Sequence, residues 1–237
     1  RVLPRGRGRF PREEVRPARF MSPSSLMVKV CGITRARDGA AALDAGASHL
    51  GFILYEKSPR AITLEQVGAL MAALPVPVEK PVAVDVDPDP ERLVRMATGG
   101  FARYQLHFPH YLPRERIAEW AEIVGRENLW LAPKLPPDQP FPDDLLDFAE
   151  AFLIDAFAED AYGGTGHTAD WSRFADLKER FPEKKWILAG GLSPDNALDA
   201  IAATGADRID ANSGVESAPG IKDPEKIQAL FKALSTG

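Results

Sequence analysis

Three observations predict a closed (β/α)8 barrel. From Met27 onward, short apolar segments typical of strands alternate with amphipathic segments typical of helices, and short connections join them. Eight such strand–helix units fit within about 210 residues, the size of one barrel of this kind. A composition of 45% hydrophobic and 27% charged residues supplies a core for one domain. An open doubly wound sheet is the competing fold, but it usually has fewer units and needs a switch point.

Local signals place the individual elements. Thr63 and Gln66 form a capping box, and Gly46 is placed to end a helix. Ser193 is predicted to be an N-cap followed by Pro194 at the first helical position. The predicted strands are Met27–Cys31, His49–Leu54, Val82–Val86, Ala102–His107, Leu129–Leu135, Phe152–Ala156, Trp186–Ala189 and Arg208–Ala211. The predicted helices are Arg35–Ala45, one opening at Thr63, one near Asp87, Arg114–Val124, Asp143–Glu150, Asp170–Arg180, Asp195–Ala203 and one capped by Asp223 and Pro224.

Residues 1–26 differ in composition from residues 27–237. They contain seven Arg, no Lys, two Glu and four Pro, so their net charge is +5, and they show no apolar periodicity. This composition predicts a disordered Arg/Pro-rich arm ahead of the barrel domain. An upstream extension without function explains it best, because Met21 and Met27 would both serve as starts. A basic anchor and an organelle-targeting peptide are the alternatives.

The bulk properties argue against several partners. A net charge of −5 gives no reason to expect binding to nucleic acid or to an anionic membrane surface. No apolar run reaches about 18 residues, so no membrane span is predicted. The single cysteine, Cys31, excludes an internal disulfide and a multi-thiolate metal site. Together with the lack of a secretory signal, it favours the reducing cytoplasm.

Two side chains are candidates for acid–base chemistry. Cys31 lies where the first strand runs into a Gly-Ile-Thr turn, at the end where barrels expose catalytic groups, although most free cysteines are small buried hydrophobes. Lys29 should point the same way, either favouring the thiolate or acting as a structural counter-charge. Asp155 ends the sixth strand and should face the barrel interior, either as an acid or in an ion pair with a lysine.

Three successive strand ends carry glycine-rich loops. Glycines let backbone N–H groups approach an anion closely, and a helix N-terminus after the eighth strand would add its dipole. The loops therefore predict a phosphate site at the barrel mouth. The candidate phosphate-binding residues are Gly163, Gly164, Gly190, Gly191, Ser213 and Gly214.

Four further side chains are candidates for substrate contacts. Arg60 can hold a carboxylate bidentately, although a lone loop arginine is commonly solvated. Gln105 and His107 share the inward face of the fourth strand, and Asp210 ends the eighth, where they suit hydroxyl or carboxylate groups. No His, Cys and acid cluster has metal-ligand spacing, so no metal is predicted. No dinucleotide fingerprint or Ser-His-acid arrangement is present.

Six segments, in this order, resemble the motifs of the phosphoribosylanthranilate isomerase family of tryptophan biosynthesis. They are KVCGIT (29–34), GFILYEKSPR (51–60), QLH (105–107), GGTG (163–166), LAGGLSPDN (188–196) and NSGVESAPGIKD (212–223). The resemblance extends from Met27 to the C-terminus, and the set of motifs is specific.

The resemblance implies a mechanism. It implies an Amadori rearrangement of N-(5-phosphoribosyl)anthranilate to 1-(2-carboxyphenylamino)-1-deoxyribulose 5-phosphate, with no cofactor. The cysteine matching Cys31 is the family's general base and takes the C2 proton. The aspartate matching Asp155 is its general acid and protonates the furanose oxygen. The arginine matching Arg60 holds the anthranilate carboxylate, and the glycine loops hold the phosphate. Such barrels are monomers or homodimers, and both states stay open.

Three features depart from the family pattern. Asp85 stands where the family more often has a bulky apolar residue, which predicts a different wall near the aromatic part of the substrate. Phe108 replaces a usual glycine, which predicts a reshaped loop after the fourth strand. The loop after the fifth strand is unusually rich in proline.

Two other functions compete. The related isomerase of histidine biosynthesis, and barrels that serve both pathways, resemble this chain in architecture but use aspartate at the end of the first strand, so Cys31 argues for the tryptophan-pathway substrate. A module that binds a phosphosugar without turnover would be favoured if Cys31 or Asp155 were missing, and both are present.

Overall fold

Eight parallel strands close into a barrel in the order β1 to β8, which confirms the predicted fold class. The structure, a computed structural model, describes residues 26–155 except 75, 78, 137 and 138, and residues 171–236. The strands are β1 Met27–Val30, β2 His49–Ile53, β3 Pro81–Val86, β4 Arg103–Pro109, β5 Leu129–Lys134, β6 Ala151–Asp155, β7 Lys185–Ala189 and β8 Arg208–Ala211. Because β1 pairs with both β2 and β8, all eight carboxyl ends meet around one mouth.

Helices cover the outside of the barrel. They are α1 Ala36–Ala45, α2 Leu64–Ala73, α3 Pro90–Ala97, α4 Arg114–Val124, α5 Ser172–Arg180, α6 Ala197–Thr204 and α7 Pro224–Thr236. Between β5 and β6 the predicted short helix near Asp143–Glu150 is present as a five-residue 3-10 helix, Asp143–Asp147. Three aspartates in this five-residue segment disfavour an α-helix, while buried Leu145 still seals the core. In the described parts of the chain, every helix is too short or insufficiently apolar to cross a bilayer.

The predicted helix ends are correct at two positions and wrong at one. Thr63 and Gln66 form the reciprocal capping box of α2, and Gly46 ends α1 in the left-handed conformation with φ +105°. Ser193 is not the N-cap of α6, which begins two residues later than predicted, after Asn196. The reason is the Asn196 side chain, whose Oδ1 accepts from the Ser193 N–H at 2.8 Å and holds the intervening residues in a turn.

The two faces of each strand fill two different cores. Side chains of one face pack against the helices, as Phe52 and Leu106 do. Side chains of the other face fill the barrel interior, as Val84 and Leu153 do. This alternation is the period of two that strand geometry imposes. It explains why the residues at the strand ends point into one mouth.

Two departures from the family pattern face the helix layer. The Asp85 carboxylate accepts hydrogen bonds from Arg92 Nε of α3 and from the Val86 N–H, so the predicted effect of Asp85 on the substrate wall is wrong. Arg92 also donates to the Leu54 carbonyl at 2.6 Å. Phe108 packs edge-to-face on Trp120 of α4, with ring centroids 5.6 Å apart. Both residues pack beneath the helices because they occupy the outward positions of β3 and β4.

The segment after β8 differs from the prediction. A three-residue 3-10 turn, Ser213–Val215, takes the place of the predicted helix N-terminus. An antiparallel pair follows, β9 Glu216–Ala218 and β10 Ile221–Lys222, before α7 begins. The described chain starts at Leu26, which packs against the core and therefore belongs to the barrel. The predicted arm otherwise lies outside the described residues.

Candidate active site

A cavity of about 200 Å³ opens at the carboxyl ends of the strands. It is lined by Cys31, Ile53, Val84, Gln105, His107, Leu153, Asp155, Ala189, Gly190, Gly191, Asp210, Asn212 and Ser213. Eight of the twelve predicted site residues are among them. Arg60 and Gly214 are not in this lining, and Gly163 and Gly164 lie outside the described residues.

A larger groove of about 390 Å³ lies at the opposite end of the barrel, between α1 and α7. Its described lining is mostly apolar, including Leu26, Phe231 and Leu234, with Lys232 as a charged member. That lining holds neither a thiol nor a carboxylate. The thiol and the carboxylates predicted for acid–base chemistry and substrate contact line the smaller cavity instead.

Cys31 is held at the end of β1 by its neighbours. Its N–H donates to the Ala211 carbonyl of β8 at 2.8 Å. A Cβ on Gly51 of β2 would lie only 2.7 Å from the Cys31 Sγ, so a glycine there makes room for the thiol. Burial raises the pKa of Cys31, and the Lys29 ammonium opposes this shift without cancelling it. Lys29 therefore favours the thiolate, which is one of its two predicted roles, but desolvation of the buried thiol outweighs this attraction.

Lys29 and Asp210 form an ion pair inside the barrel. Lys29 Nζ lies 2.7 Å from Asp210 Oδ2, and both side chains are buried. Lys29 thus points into the interior like Cys31, as predicted, but pairs with Asp210. Burial raises the pKa of Asp210, with Lys29 opposing. The Asp210 Oδ1 and the Gln105 Oε1 are buried without a hydrogen-bond partner in the described structure.

His107 is a neutral group in this cavity. Its Nε2 lies 2.9 Å from the Gln105 Nε2. This hydrogen bond links the two inward side chains of β4. Burial lowers the pKa of His107 to about 4, with a contribution from the Lys29 ammonium. His107 therefore offers hydrogen bonds without a charge at neutral pH.

Asp155 lies across the mouth from Cys31. It ends β6, lines the cavity and is exposed to solvent. In the closed ring, β6 and β1 are three strands apart, with β7 and β8 between them. In a ring of eight this separation places the two groups on opposing walls. A small ligand in the cavity would have a thiol on one side and a carboxyl group on the other.

The loops after β7 and β8 pack directly on each other. Gly190 and Gly191 have φ angles of +99° and +58°, a conformation that favours glycine. A Cβ on Gly214 would lie 2.1 Å from the Leu192 carbonyl oxygen, so only glycine allows this approach. Gly214 therefore fixes the spacing of the two loops, while Gly190, Gly191 and Ser213 line the cavity.

Arg60 lies beside the thiol and is bound by a residue that the sequence interpretation missed. Its Cδ is 2.9 Å from where a Cβ on Gly32 would lie, next to Cys31. Its guanidinium is paired with Glu216, and Glu216 with Lys222, each at 2.7 Å. Both missed residues fall within the segment 212–223, whose charges were the available signal.

The fold and the cavity define the class of protein first: a (β/α)8 barrel with a thiol and a carboxyl group on opposing walls at the carboxyl ends of the strands, beside glycine-rich loops. The model of the family described as N-(5'-phosphoribosyl)anthranilate (PRA) isomerase matches residues 28–233. The chain belongs to this family. It is an isomerase of tryptophan biosynthesis, and the predicted family, activity and barrel fold are confirmed.

Relatives and solved structures agree with this assignment. An N-(5'-phosphoribosyl)anthranilate isomerase from Zymomonas mobilis subsp. pomaceae is 37% identical over 213 residues, covering 89% of this chain and 98% of the relative. One from Paracoccus denitrificans is 39% identical over 215 residues, covering 87% and 96%. The crystal structure of the Thermotoga maritima phosphoribosyl anthranilate isomerase superposes with a TM-score of 0.76 at 30% identity, covering 90% of this chain and 100% of that one.

A second solved structure bears on the ligand. It is a phosphoribosyl anthranilate isomerase in complex with reduced 1-(o-carboxyphenylamino)-1-deoxyribulose 5-phosphate. It superposes with a TM-score of 0.72 at 28% identity, covering 90% of this chain and 100% of that one.

Proposed function

We propose that this chain isomerises N-(5'-phosphoribosyl)anthranilate in the cavity at the strand ends, with Cys31 as general base and Asp155 as general acid. The observation that supports these roles is their placement on opposing walls of one cavity of about 200 Å³. Ring opening needs a proton on the furanose oxygen, and ketose formation needs removal of the C2 proton. A ligand between the two walls meets both requirements.

The proton transfers follow from this placement. Protonated Asp155 gives its proton to the furanose oxygen as the bond between that oxygen and C1 breaks, and the nitrogen lone pair forms an iminium group at C1. The Cys31 thiolate then takes the proton from C2, and the bonding pair forms an enolamine that tautomerises to the ketose. Because burial raises the pKa of Cys31, its thiolate is a minor species at neutral pH and a strong base once formed.

The remaining groups of the cavity suit the rest of the substrate. The unpaired acceptors Gln105 Oε1 and Asp210 Oδ1 match the hydroxyl and N–H donors of the sugar and the anilino group. His107 adds a neutral hydrogen-bonding group. Apolar side chains of Ile53 and Val84 offer a wall for the aromatic ring. These assignments make Gln105, His107 and Asp210 substrate-binding residues.

The phosphate belongs at the β7–β8 end of the mouth. Gly190, Gly191 and Ser213 line the cavity there, and Gly214 keeps the two loops in contact. Backbone N–H groups of such turns bind anions without a charged side chain. Gly163 and Gly164, in the segment outside the described residues, are the proposed third component.

Turnover tests the two roles. Freshly generated N-(5'-phosphoribosyl)anthranilate is mixed with the wild-type chain, Cys31→Ala and Asp155→Asn, and the loss of anthranilate fluorescence is followed. Each variant should lose about 100- to 10,000-fold in turnover with an unchanged circular dichroism spectrum. Asp176→Asn, at an exposed carboxylate on α5, is the control and should keep full activity. Near-normal turnover in Cys31→Ala would remove Cys31 from the mechanism.

The assembly and location of the chain are separate proposals. The Thermotoga maritima enzyme is described as dimeric, which supports a homodimer here. Sedimentation equilibrium at several concentrations would test this assignment. The net charge of −5 and the biosynthetic role support a cytoplasmic enzyme without nucleic acid or membrane partners. Deleting residues 1–25 should leave turnover and melting temperature unchanged, and a large loss of either would assign a role to that segment.

A further inference from the structure

Glu216 holds one edge of the Arg60 guanidinium. Arg60 Nε lies 2.9 Å from Glu216 Oε1, and Arg60 Nη2 lies 2.7 Å from Oε2. The Glu216 side chain is only 4% exposed, so this carboxylate is a fixed part of the protein and not a mobile surface partner. Two parallel N–H···O bonds fix the plane of the guanidinium as well as its position.

Glu216 is itself held by groups of the β9–β10 segment. Lys222 Nζ lies 2.7 Å from Glu216 Oε1, and the Gly220 N–H donates to the same oxygen at 3.2 Å. The Lys222 ammonium also donates to the Asn212 Oδ1 at 2.8 Å, which ties this cluster to the end of β8. The Lys222 side chain is completely buried. A carboxylate with this many donors has a defined orientation.

The bidentate pair leaves the other edge of Arg60 available. Glu216 occupies Nε and one side of Nη2, and Nη1 has no hydrogen-bond partner in the described structure. The edge formed by Nη1 and Nη2 has the fork geometry that a second carboxylate fits. Two cations and one anion leave the cluster Arg60–Glu216–Lys222 with a net charge of +1. It therefore attracts an anion even though Arg60 is already paired.

The position of this cluster relates it to the substrate. Arg60 passes over Gly32, the residue after Cys31. A carboxylate bound at the open edge would lie beside the thiol that acts on C2. We propose that Glu216 is the positioning residue that presents Arg60 to the carboxylate of the anthranilate group, with Lys222 supplying the charge that keeps the pair attractive to an anion. This inference rests on the proposed function.

A matched pair of ligands tests the inference. One is reduced 1-(o-carboxyphenylamino)-1-deoxyribulose 5-phosphate, and the other is the same compound without the ring carboxyl group. Calorimetry gives the dissociation constants for the wild-type chain, Arg60→Lys, Glu216→Gln and the double variant. Glu216→Gln should weaken binding of the carboxylated ligand about tenfold, the factor typical of one hydrogen bond to a charged group. The ligand without a carboxyl group should bind within about twofold of wild type, within the usual scatter of independent sites.

The double variant and a control complete the design. If Glu216 acts through Arg60, the double variant should bind the carboxylated ligand no more weakly than Arg60→Lys alone. The control is Asp144→Asn, since Asp144 is also bonded bidentately by an arginine, Arg114 at 2.6 and 3.1 Å. That pair joins α4 to the segment between β5 and β6, away from Arg60, so Asp144→Asn should leave the binding of both ligands unchanged.

Several results would overturn the inference. Equal weakening of both ligands by Glu216→Gln, or no weakening of either, would make Glu216 a purely structural residue. If Glu216→Gln does not fold, Glu216→Asp keeps the charge but shortens the reach, and it should show the same selective loss to a smaller extent. A wild-type chain that turns over substrate but binds both ligands equally contradicts this inference alone. A folded wild-type chain that neither binds the carboxylated ligand nor turns over substrate contradicts the proposed function.

Discussion

Two buried carboxylates on the β1–β8 side of the barrel, Asp210 and Glu216, are each paired with a lysine, but their pKa values are shifted in opposite directions. Each lies 2.7 Å from a completely buried lysine Nζ, Lys29 for Asp210 and Lys222 for Glu216. Burial raises the pKa of Asp210 despite its lysine. Burial also opposes ionisation of Glu216, but the hydrogen bonds from Arg60 and Lys222 outweigh it and lower its pKa.

The number of donors explains the difference. Asp210 Oδ2 accepts from Lys29 and Oδ1 has no partner in the described structure, whereas both oxygens of Glu216 accept hydrogen bonds. A buried charge is stable only when its desolvation is offset by several good contacts. Asp210 therefore retains one oxygen without a hydrogen-bond partner in the described structure, whereas both oxygens of Glu216 are bonded. In the proposed function, the interior pair Lys29–Asp210 contacts the substrate, and the outer cluster Arg60–Glu216–Lys222 aligns Arg60.

The largest effect should come from removing each lysine. Lys29→Met leaves Asp210 buried without a cation, which should lower the free energy of unfolding by about 3–5 kcal/mol. Lys222→Met leaves Glu216 bonded to Arg60, so the loss should be smaller, about 1–3 kcal/mol. Urea unfolding of both variants measures this difference. Equal losses in the free energy of unfolding would show that the two carboxylates depend equally on their lysines.

A glycine beside the interior pair should affect activity strongly. A Cβ on Gly51 would lie 2.7 Å from the Cys31 Sγ and 2.9 Å from the Lys29 Cε, so Gly51→Ala must displace one of them. Displacement of the proposed general base, or of the lysine beside it, should reduce kcat/KM about 100-fold. Gly68→Ala is the control, because a Cβ at this helical position meets nothing within 4 Å. Full activity in Gly51→Ala would show that the thiol tolerates displacement.

The pH dependence of Cys31 alkylation should show which of the two lysines affects the thiol more. Because burial raises the pKa of Cys31, alkylation by iodoacetamide should be slow at neutral pH and should accelerate only at alkaline pH. Lys29 and Lys222 both lower this pKa, and Lys29 has the larger effect. The midpoint of the alkylation profile should therefore move to higher pH in Lys29→Met than in Lys222→Met. The reverse order would show that Lys222 lowers the pKa of Cys31 more than Lys29 does.

The smallest expected effect is on the pH dependence of stability. The free energy of unfolding should change with pH in opposite directions for the Glu216 and Asp210 variants, each relative to wild type. The pKa of Glu216 lies below its unfolded value of about 4.3, so its contribution to stability is present above that pH and is lost on acidification. The pKa of Asp210 lies above its unfolded value of about 3.9, so its contribution is present below that pH and is lost as pH rises through the folded value. On acidification from neutral pH, the stability difference between wild type and Glu216→Gln should shrink. The difference between wild type and Asp210→Asn should change in the opposite direction, and parallel slopes in urea unfolding would contradict this assignment.

The sequence predicted most of the fold because its signals are local. The bounds of α4 and β8 agree with the predicted Arg114–Val124 and Arg208–Ala211, since apolar spacing alone defines them. The start of α6 was wrong because the Asn196 side chain bonds to the Ser193 N–H, a contact that composition does not reveal. Cys31 and Asp155 were expected at one mouth because both end parallel strands.

What the sequence by itself determined is the alternation of elements, their caps and the set of side chains at the strand ends. These depend on periods of two and 3.6 residues and on neighbours within a turn. Only the tertiary structure determined which charged side chains pair and how their pKa values shift. Lys29 meets Asp210 across 181 residues, and Arg60 meets Glu216 across 156. Closure of β1 onto β8 brings these partners together and removes water from them, and both the distance and the desolvation that set a pKa exist only after that closure.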